Sequence, residues 1–314
     1  MIFSNYLIIL NNLPVIKINN QIINYRSINN FTRQEKSLND VSNKIRELVI
    51  ISIINGDIDK DYYKYSNRWR RLKIGVDNFM RLLGIGLDDD VRCLLKAGRN
   101  FNYDFQIIID DNRRYNIEFK FNSSSITDIP QFISPMKPSK YLSKSFEEYI
   151  YENYLRRLMN EFGFGMPNKE DYLREVHSTN PRCLKNIQDK YYRGCKSSSR
   201  YSGMEDDIKF YKRANDYSKK AIEEFIRDNE LDINQLSKYL METQMKKIYM
   251  LYFNNNIYME TINEDYFTII SYEKKKNYFI LETKKGIHLK VLLRWKNGNL
   301  IAFPAFQISI IGNK

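Results

Sequence analysis

The sequence predicts an α/β (α+β) fold, a mixed sheet flanked by helices, with a helical insertion and C-terminal β-strands. Two observations carry this. Helical apolar spacing recurs through the first and middle parts, enclosing a pair of period-two segments joined by a polar turn, and from about residue 257 onward the period is two throughout. The 314 residues are 43% apolar and 14% aromatic, enough for a sizeable core in one large domain or two smaller ones.

Residues 1–35 read as short strands or irregular structure. In "SLNDVSNKIRELVIISIIN", Leu38, Val41, Ile45, Leu48, Val49 and Ser52 fall on one helical face, with Ser37 or Asn39 as cap and Asn55-Gly56 as stop. A second basic, partly helical region, "NRWRRLKIGVDNFMRLLGIG", precedes the acidic turn Asp88 to Asp90. The strands of "NYDFQIIIDDNRRYNIEFKFN" follow. After the Ser- and Pro-containing connection Ser123 to Ser139, "SKSFEEYIYENYLRRLMNEFG" is an amphipathic helix capped near Ser143 or Ser145. From 164 to 204 the pattern loosens into a basic, loop-bearing insertion. Helices resume over "EDDIKFYKRANDYSKKAIEEFIRDNE" and "DINQLSKYLMETQMKKIYMLYF". Four strand-like segments close the chain, with Asn297-Gly298 as the turn between the last two. The expected division is 1–163, 164–256 and 257–314, the last packed on the first.

Fifty Lys and Arg against 38 Asp and Glu give a net charge of +12, which favours a polyanionic partner, nucleic acid first and DNA ahead of RNA. The opening residues lack the basic flank and cleavage site of a signal peptide, and no apolar run is long enough to span a membrane. Cys93, Cys183 and Cys195 are too scattered for a disulfide framework. The expected setting is therefore a reducing, intracellular compartment (cytoplasm, nucleus or viral factory), without a membrane partner. Abundant Asn, Ile, Lys and Tyr mark an A+T-rich genome, for which a large DNA virus is one source. A homodimer is left open.

Strand alternation puts Asp104 and Gln106 on one face of the first strand and Glu118 and Lys120 on one face of the second. A reversal centred on Asp111 sets position 104 against 118; one centred on Asn112 sets it against 120. Two carboxylates at that range repel unless a cation lies between them, and such hard oxygen donors suit Mg²⁺. The alternative is a cross-strand ion pair on a solvated sheet face.

Asp104 followed across a hairpin by "IEFKF", giving Glu118-x-Lys120, resembles the D…(D/E)-x-K site of the PD-(D/E)XK, or restriction-endonuclease-like, nuclease superfamily, with Tyr103 where the motif's proline would stand. The resemblance covers 37–162. It implies a core of helix, three-stranded meander, helix and strand, and phosphodiester hydrolysis dependent on Mg²⁺ or Mn²⁺. It also implies that Asp104, Glu118 and the carbonyl of Phe119 are metal ligands, that Lys120 is the catalytic lysine, and that Gln131 is a further polar site residue. A second copy of the pattern, Asp265 with Glu282-x-Lys284, precedes a strand instead of a helix and reads as solvated surface.

Three clusters mix cations with aromatics: Arg68, Trp69, Arg70 and Arg71; Lys190 to Tyr201; and Arg294, Trp295 and Lys296. Each could hold phosphates while a ring packs on a sugar or base, or could be solvated surface. Between Arg182 and Arg200 six cations, among them Lys190, Arg193 and Lys196, meet one acid, so this stretch is the main candidate for contact with nucleic acid. His177, Cys183 and Cys195 lack the spacing of a zinc site. The function expected is a metal-dependent endonuclease; the alternative is a basic nucleic-acid-binding or viral packaging protein without catalysis.

Overall fold

The structure is a computed structural model and describes residues 9, 12–18, 20–32, 39–86, 88–96, 101–129, 133–135, 137–178, 181–192, 204–296 and 300–311. The chain is mixed α/β and forms two compact units, 1–129 with 240–264 and 130–239 with 265–314. This division departs from the expected boundaries: the second unit begins well before residue 163, and residues 240–264 return to the first.

Unit 1 opens with a small hairpin, β1 (Ile16–Ile18) and β2 (Gln21–Ile23), and three helices, α1 (Asn39–Ile54), α2 (Lys60–Tyr65) and α3 (Asn67–Leu82). Helix α1 ends where expected: Gly56 takes φ +74°, a conformation that glycine reaches without a steric penalty. Its sheet has five strands in the order β3 (Val91–Leu95), β4 (Phe105–Ile109), β5 (Arg113–Phe121), β6 (Ile248–Phe253) and β7 (Asn256–Glu260). The first three form an antiparallel meander, β6 runs parallel to β5, and β7 turns back antiparallel. Leu48 and Val49 of α1 and Trp69, Leu72, Val76 and Phe79 of α3 build one core with Phe105, Ile107, Ile109, Ile117 and Phe119 of the sheet. Gly75 lets α3 close on β7, since a Cβ there would lie 3.2 Å from Ile257.

Two sequence expectations are corrected here. "KKIYMLYF" continues no helix: residues 248–253 are a strand inside the sheet. The helix that leads into that parallel strand is α8 (Ile233–Gln244), whereas the amphipathic helix at 146–161 belongs to unit 2. The sequence reading also passed over β3.

Unit 2 contains α4 (146–161), whose middle turn Ile150–Leu155 is π-helical, then α5 (Lys169–Glu175), α6 (Lys185–Tyr191) and α7 (Glu205–Asp228). Ser145 caps α4 by accepting from the Glu148 N–H at 3.2 Å. The four closing strands β8 (Ile269–Lys274), β9 (Tyr278–Thr283), β10 (His288–Trp295) and β11 (Pro304–Ile311) form an antiparallel meander in chain order. Asn297-Gly298 lies outside the described residues, although the pairing of Trp295 with Pro304 is that of a hairpin.

The expected loop at 164–204 is corrected in part. Residues 169–175 and 185–191 are helical, because Tyr172, Leu184, Ile187 and Tyr191 supply apolar anchors; Tyr191 stacks on Phe210 with ring centres 4.1 Å apart. A stretch poor in aliphatics is here held by its tyrosines.

Candidate functional site

The hairpin β4–β5 reverses through Asp110 and Asp111, both with positive φ (48° and 57°), a region that Asp tolerates better than most residues. Ile109 therefore pairs with Arg113 and Phe105 with Ile117, the register centred on Asp111. Asp104 directly precedes β4 and is bonded through its backbone to both neighbouring strands' chains. Its N–H donates to the Ile117 carbonyl at 2.9 Å, and its own carbonyl accepts from the Lys96 N–H at 2.9 Å. Its side chain turns to β5, where Oδ2 accepts from the Phe119 N–H at 2.8 Å.

On β5, Lys120 donates to Glu118 Oε1. The other Glu118 oxygen, Oε2, accepts from Lys247 Nζ at 3.0 Å, and Lys247 also donates to the Asn102 carbonyl at 2.7 Å. Lys247 sits directly before β6, whose Ile248 is registered against Ile117. The same connection is laced to the hairpin a second time, where Asn116 Nδ2 donates to the Lys246 carbonyl at 3.1 Å. Tyr249, opposite Glu118, gives its hydroxyl to Gln244 Oε1 at 2.7 Å. From α1, Glu47 completes the group: it is 9% exposed and has no hydrogen-bond or ion-pair partner among the described residues.

Burial, followed by the charge of Asp104, raises Glu47 to about 8. Burial and then Glu118 raise Asp104 to about 6, against the pull of Lys120 and the Phe119 N–H. Glu118 itself is held below its ordinary value, because Lys120 and Lys247 outweigh its burial. Lys120 is raised: Glu118 and Asp104 outweigh the desolvation that would lower it. For Lys247 the balance falls the other way, and burial draws it down despite Glu118. Three carboxyl groups thus face two ammonium groups in a largely buried place, and Glu47 keeps its proton up to about 8.

Among the described residues no three His, Cys, Asp or Glu side chains are already gathered round one metal position. The donor chemistry nevertheless fits a hard divalent cation. Among the described residues Asp104 Oδ1 and both oxygens of Glu47 are uncommitted, and all the donors are oxygen.

The structure thus brings Asp104, Glu118, Phe119 and Lys120 together and adds two residues the sequence reading missed, Glu47 and Lys247. Gln131, Arg193, Cys195, Lys196 and Arg200 lie outside the described residues. Arg182 and Lys190 are exposed on consecutive helical segments of unit 2, with Lys190 Nζ 5.1 Å from the centre of the Tyr191 ring.

Two basic clusters are corrected. Trp295 is 4% exposed and donates to Ser218 Oγ at 2.6 Å, so it offers no face to a base. Arg294 is turned onto Gln307 and the carbonyls of Trp295 and Lys296, although Lys296 itself is exposed. Likewise Trp69 is buried and bonded to the Tyr25 carbonyl at 2.9 Å, while Arg68 and Arg70 are spent on the carbonyls of Ile28, Tyr63 and Lys64. The cations there hold the fold together. His177 is engaged with Glu147, Nε2 to Oε1 at 2.9 Å, and the Cys183 N–H donates to Glu175 Oε2 at 3.0 Å. Burial and then Glu175 push the Cys183 thiol up to about 12. No helix of the described residues is long and apolar enough to cross a membrane.

No family model matches the chain, and neither a curated protein nor a solved structure does.

Proposed function

We propose that the chain is a metal-dependent nuclease of the PD-(D/E)XK type that hydrolyses phosphodiester bonds, with DNA as the favoured substrate. The observation that carries this reading is the convergence of Asp104, Glu118 and Lys120 in one largely buried cluster, with Glu47 as a third carboxylate. The order of elements along the chain that builds the five-stranded sheet supports it. Once the segment before Ile233 is set aside, α1, the meander β3 to β5, α8 and the parallel strand β6 follow the order that the resemblance implies. The net charge of +12 supports a polyanionic substrate.

Mg²⁺ or Mn²⁺ would be held by Asp104, Glu118 and Glu47, with the Phe119 carbonyl as a further oxygen donor. Such an ion, when bound, supplies a lowered water pKa and neutralises charge on the phosphate. Lys120 stays an ammonium, because the neighbouring carboxylates hold its proton. Its role is therefore to bind a phosphate oxygen and stabilise the charge that grows there, not to take a proton from water. The Phe119 N–H orients Asp104, and Lys247 fixes the second oxygen of Glu118.

One observation favours a second reading. Both oxygens of Glu118 are already engaged by lysines, as in a closed structural ion-pair network of a binding protein that holds nucleic acid without cutting it.

The test is incubation of the purified chain with plasmid and with single-stranded oligonucleotide, in Mg²⁺, in Mn²⁺ and in chelator. Cutting that requires the metal and disappears in Glu118→Gln supports the nuclease. Binding without cutting in either metal establishes the second reading.

A further inference from the structure

We propose that the carboxylate cluster takes a single divalent cation, because the Lys247 ammonium stands at Glu118 where a second ion would need its ligand. The proposal rests on the metal-dependent reading above and concerns how many ions that site holds.

Paired-metal sites place two ions about 3.5–4 Å apart, and each ion needs anionic oxygen of its own. Here the supply is short. Lys247 and Lys120 approach different oxygens of Glu118, and Asp104 Oδ2 is committed to the Phe119 N–H. Among the described residues the oxygens with no partner are Asp104 Oδ1 and the two of Glu47, and together with Glu118 Oε1, which Lys120 alone reaches, they serve one ion with waters and a substrate phosphate.

Charge leads to the same count. With all three carboxyl groups ionised around a bound ion, they and the two ammonium groups leave one negative charge. One divalent ion carries the cluster past neutrality, and a phosphodiester then restores the balance. A second ion would leave a large positive excess in a place where Glu118 and Lys247 have side-chain exposures of only 12% and 5%.

Lys247 is also built in. Besides Glu118 it holds the Asn102 carbonyl at 2.7 Å, and the register of Ile248 on Ile117 fixes its backbone. Asn102 in turn donates to the Thr243 carbonyl, and Lys246 accepts from Asn116. To vacate the place at Glu118, Lys247 would have to give up two bonds and move a laced connection.

The experiment is calorimetric titration of the full chain with Mn²⁺ in the absence of nucleic acid, for the parent and for Lys247→Gln, with circular dichroism to verify folding. The result expected is one ion per chain for the parent and two for Lys247→Gln. Two ions in the parent overturn the proposal and leave the nuclease reading intact. No binding by the parent overturns both, and one ion in folded Lys247→Gln overturns the role given to Lys247. Should that variant fail to fold, the parent's stoichiometry alone still decides the number of ions.

Discussion

The same pattern, an aspartate followed across a turn by Glu-x-Lys, occurs in both units, and its surroundings differ completely. In unit 1, Glu118 and Lys120 are mostly covered, with side-chain exposures of 12% and 25%, and Glu47 and Lys247 crowd the same place. In unit 2, Lys284 pairs with Asp265 at 3.2 Å with exposures of 66% and 41%, and Glu282 accepts from the Ser271 hydroxyl at 3.0 Å. Water screens the second group, so its members interact weakly. Burial makes each charge of the first group depend on its neighbours. The residues alone therefore identify nothing; the added helix and parallel strand turn one copy into a candidate site.

The largest expected difference is catalytic. Lys120→Ala and Glu118→Gln should each reduce plasmid cutting by at least about 10²–10³-fold, the scale seen when one group that stabilises developing charge is removed. Glu282→Gln and Lys284→Ala should leave the rate unchanged. Loss of cutting in the second pair, with the first intact, would move the site to unit 2.

Stability separates the copies next. Glu118→Ala strands Lys247 and Lys120 beside each other, and removal of one partner from a buried pair costs about 3–5 kcal/mol. Asp265→Ala should leave the denaturation midpoint unchanged within error. A Glu118→Ala midpoint equal to that of the parent would mean that the cluster is wetter than its geometry implies.

The pH dependence follows from Glu47 and is best read in chelator. Burial and Asp104 place it near 8 in the folded chain, against an ordinary 4.5. The folded state thus keeps a proton that the unfolded state has released. The associated stability is fully present below about 4.5 and is lost as pH rises through about 8. Asp104, raised to about 6, has the same sign but has finished titrating above that. Between pH 6 and 8 the midpoint should fall in the parent and stay flatter in Glu47→Gln, with the variant the more stable at pH 8. Parallel curves would remove Glu47 from the cluster.

How far the sequence foretold this site depends on which contacts are local. Asp104, Glu118 and Lys120 were legible because a short turn and period-two alternation fix a hairpin's register within the segment itself. Glu47 was not, because the apolar stripe of α1 marks which face is buried but not which strand lies against it. Lys247 was hidden for two reasons. Strand β6 is buried almost throughout, so "IYMLYF" alternates neither with period two nor with period 3.6, and it reached β5 only after a segment that belongs to another unit. Tyr172 and Tyr191 misled in a different way: a tyrosine-anchored helix in a basic stretch imitates a loop in composition.

The smallest expected effect tests the premise of the comparison itself. A double-mutant cycle on Asp265 and Lys284 should return a coupling below about 1 kcal/mol that salt abolishes, because two exposed side chains must be ordered for an attraction that water already weakens. The same cycle on Glu118 and Lys247 should return about 1–3 kcal/mol, the range for residues in one network, and should change little with salt because neither group faces bulk solvent. Both cycles need the single variants to remain folded, so the buried one is best run with Glu118→Gln and Lys247→Gln, which keep polar atoms in place. Equal couplings at high salt would show that burial is not what distinguishes the two copies. The preference for Asp104, Glu118 and Lys120 would then rest on cutting assays alone.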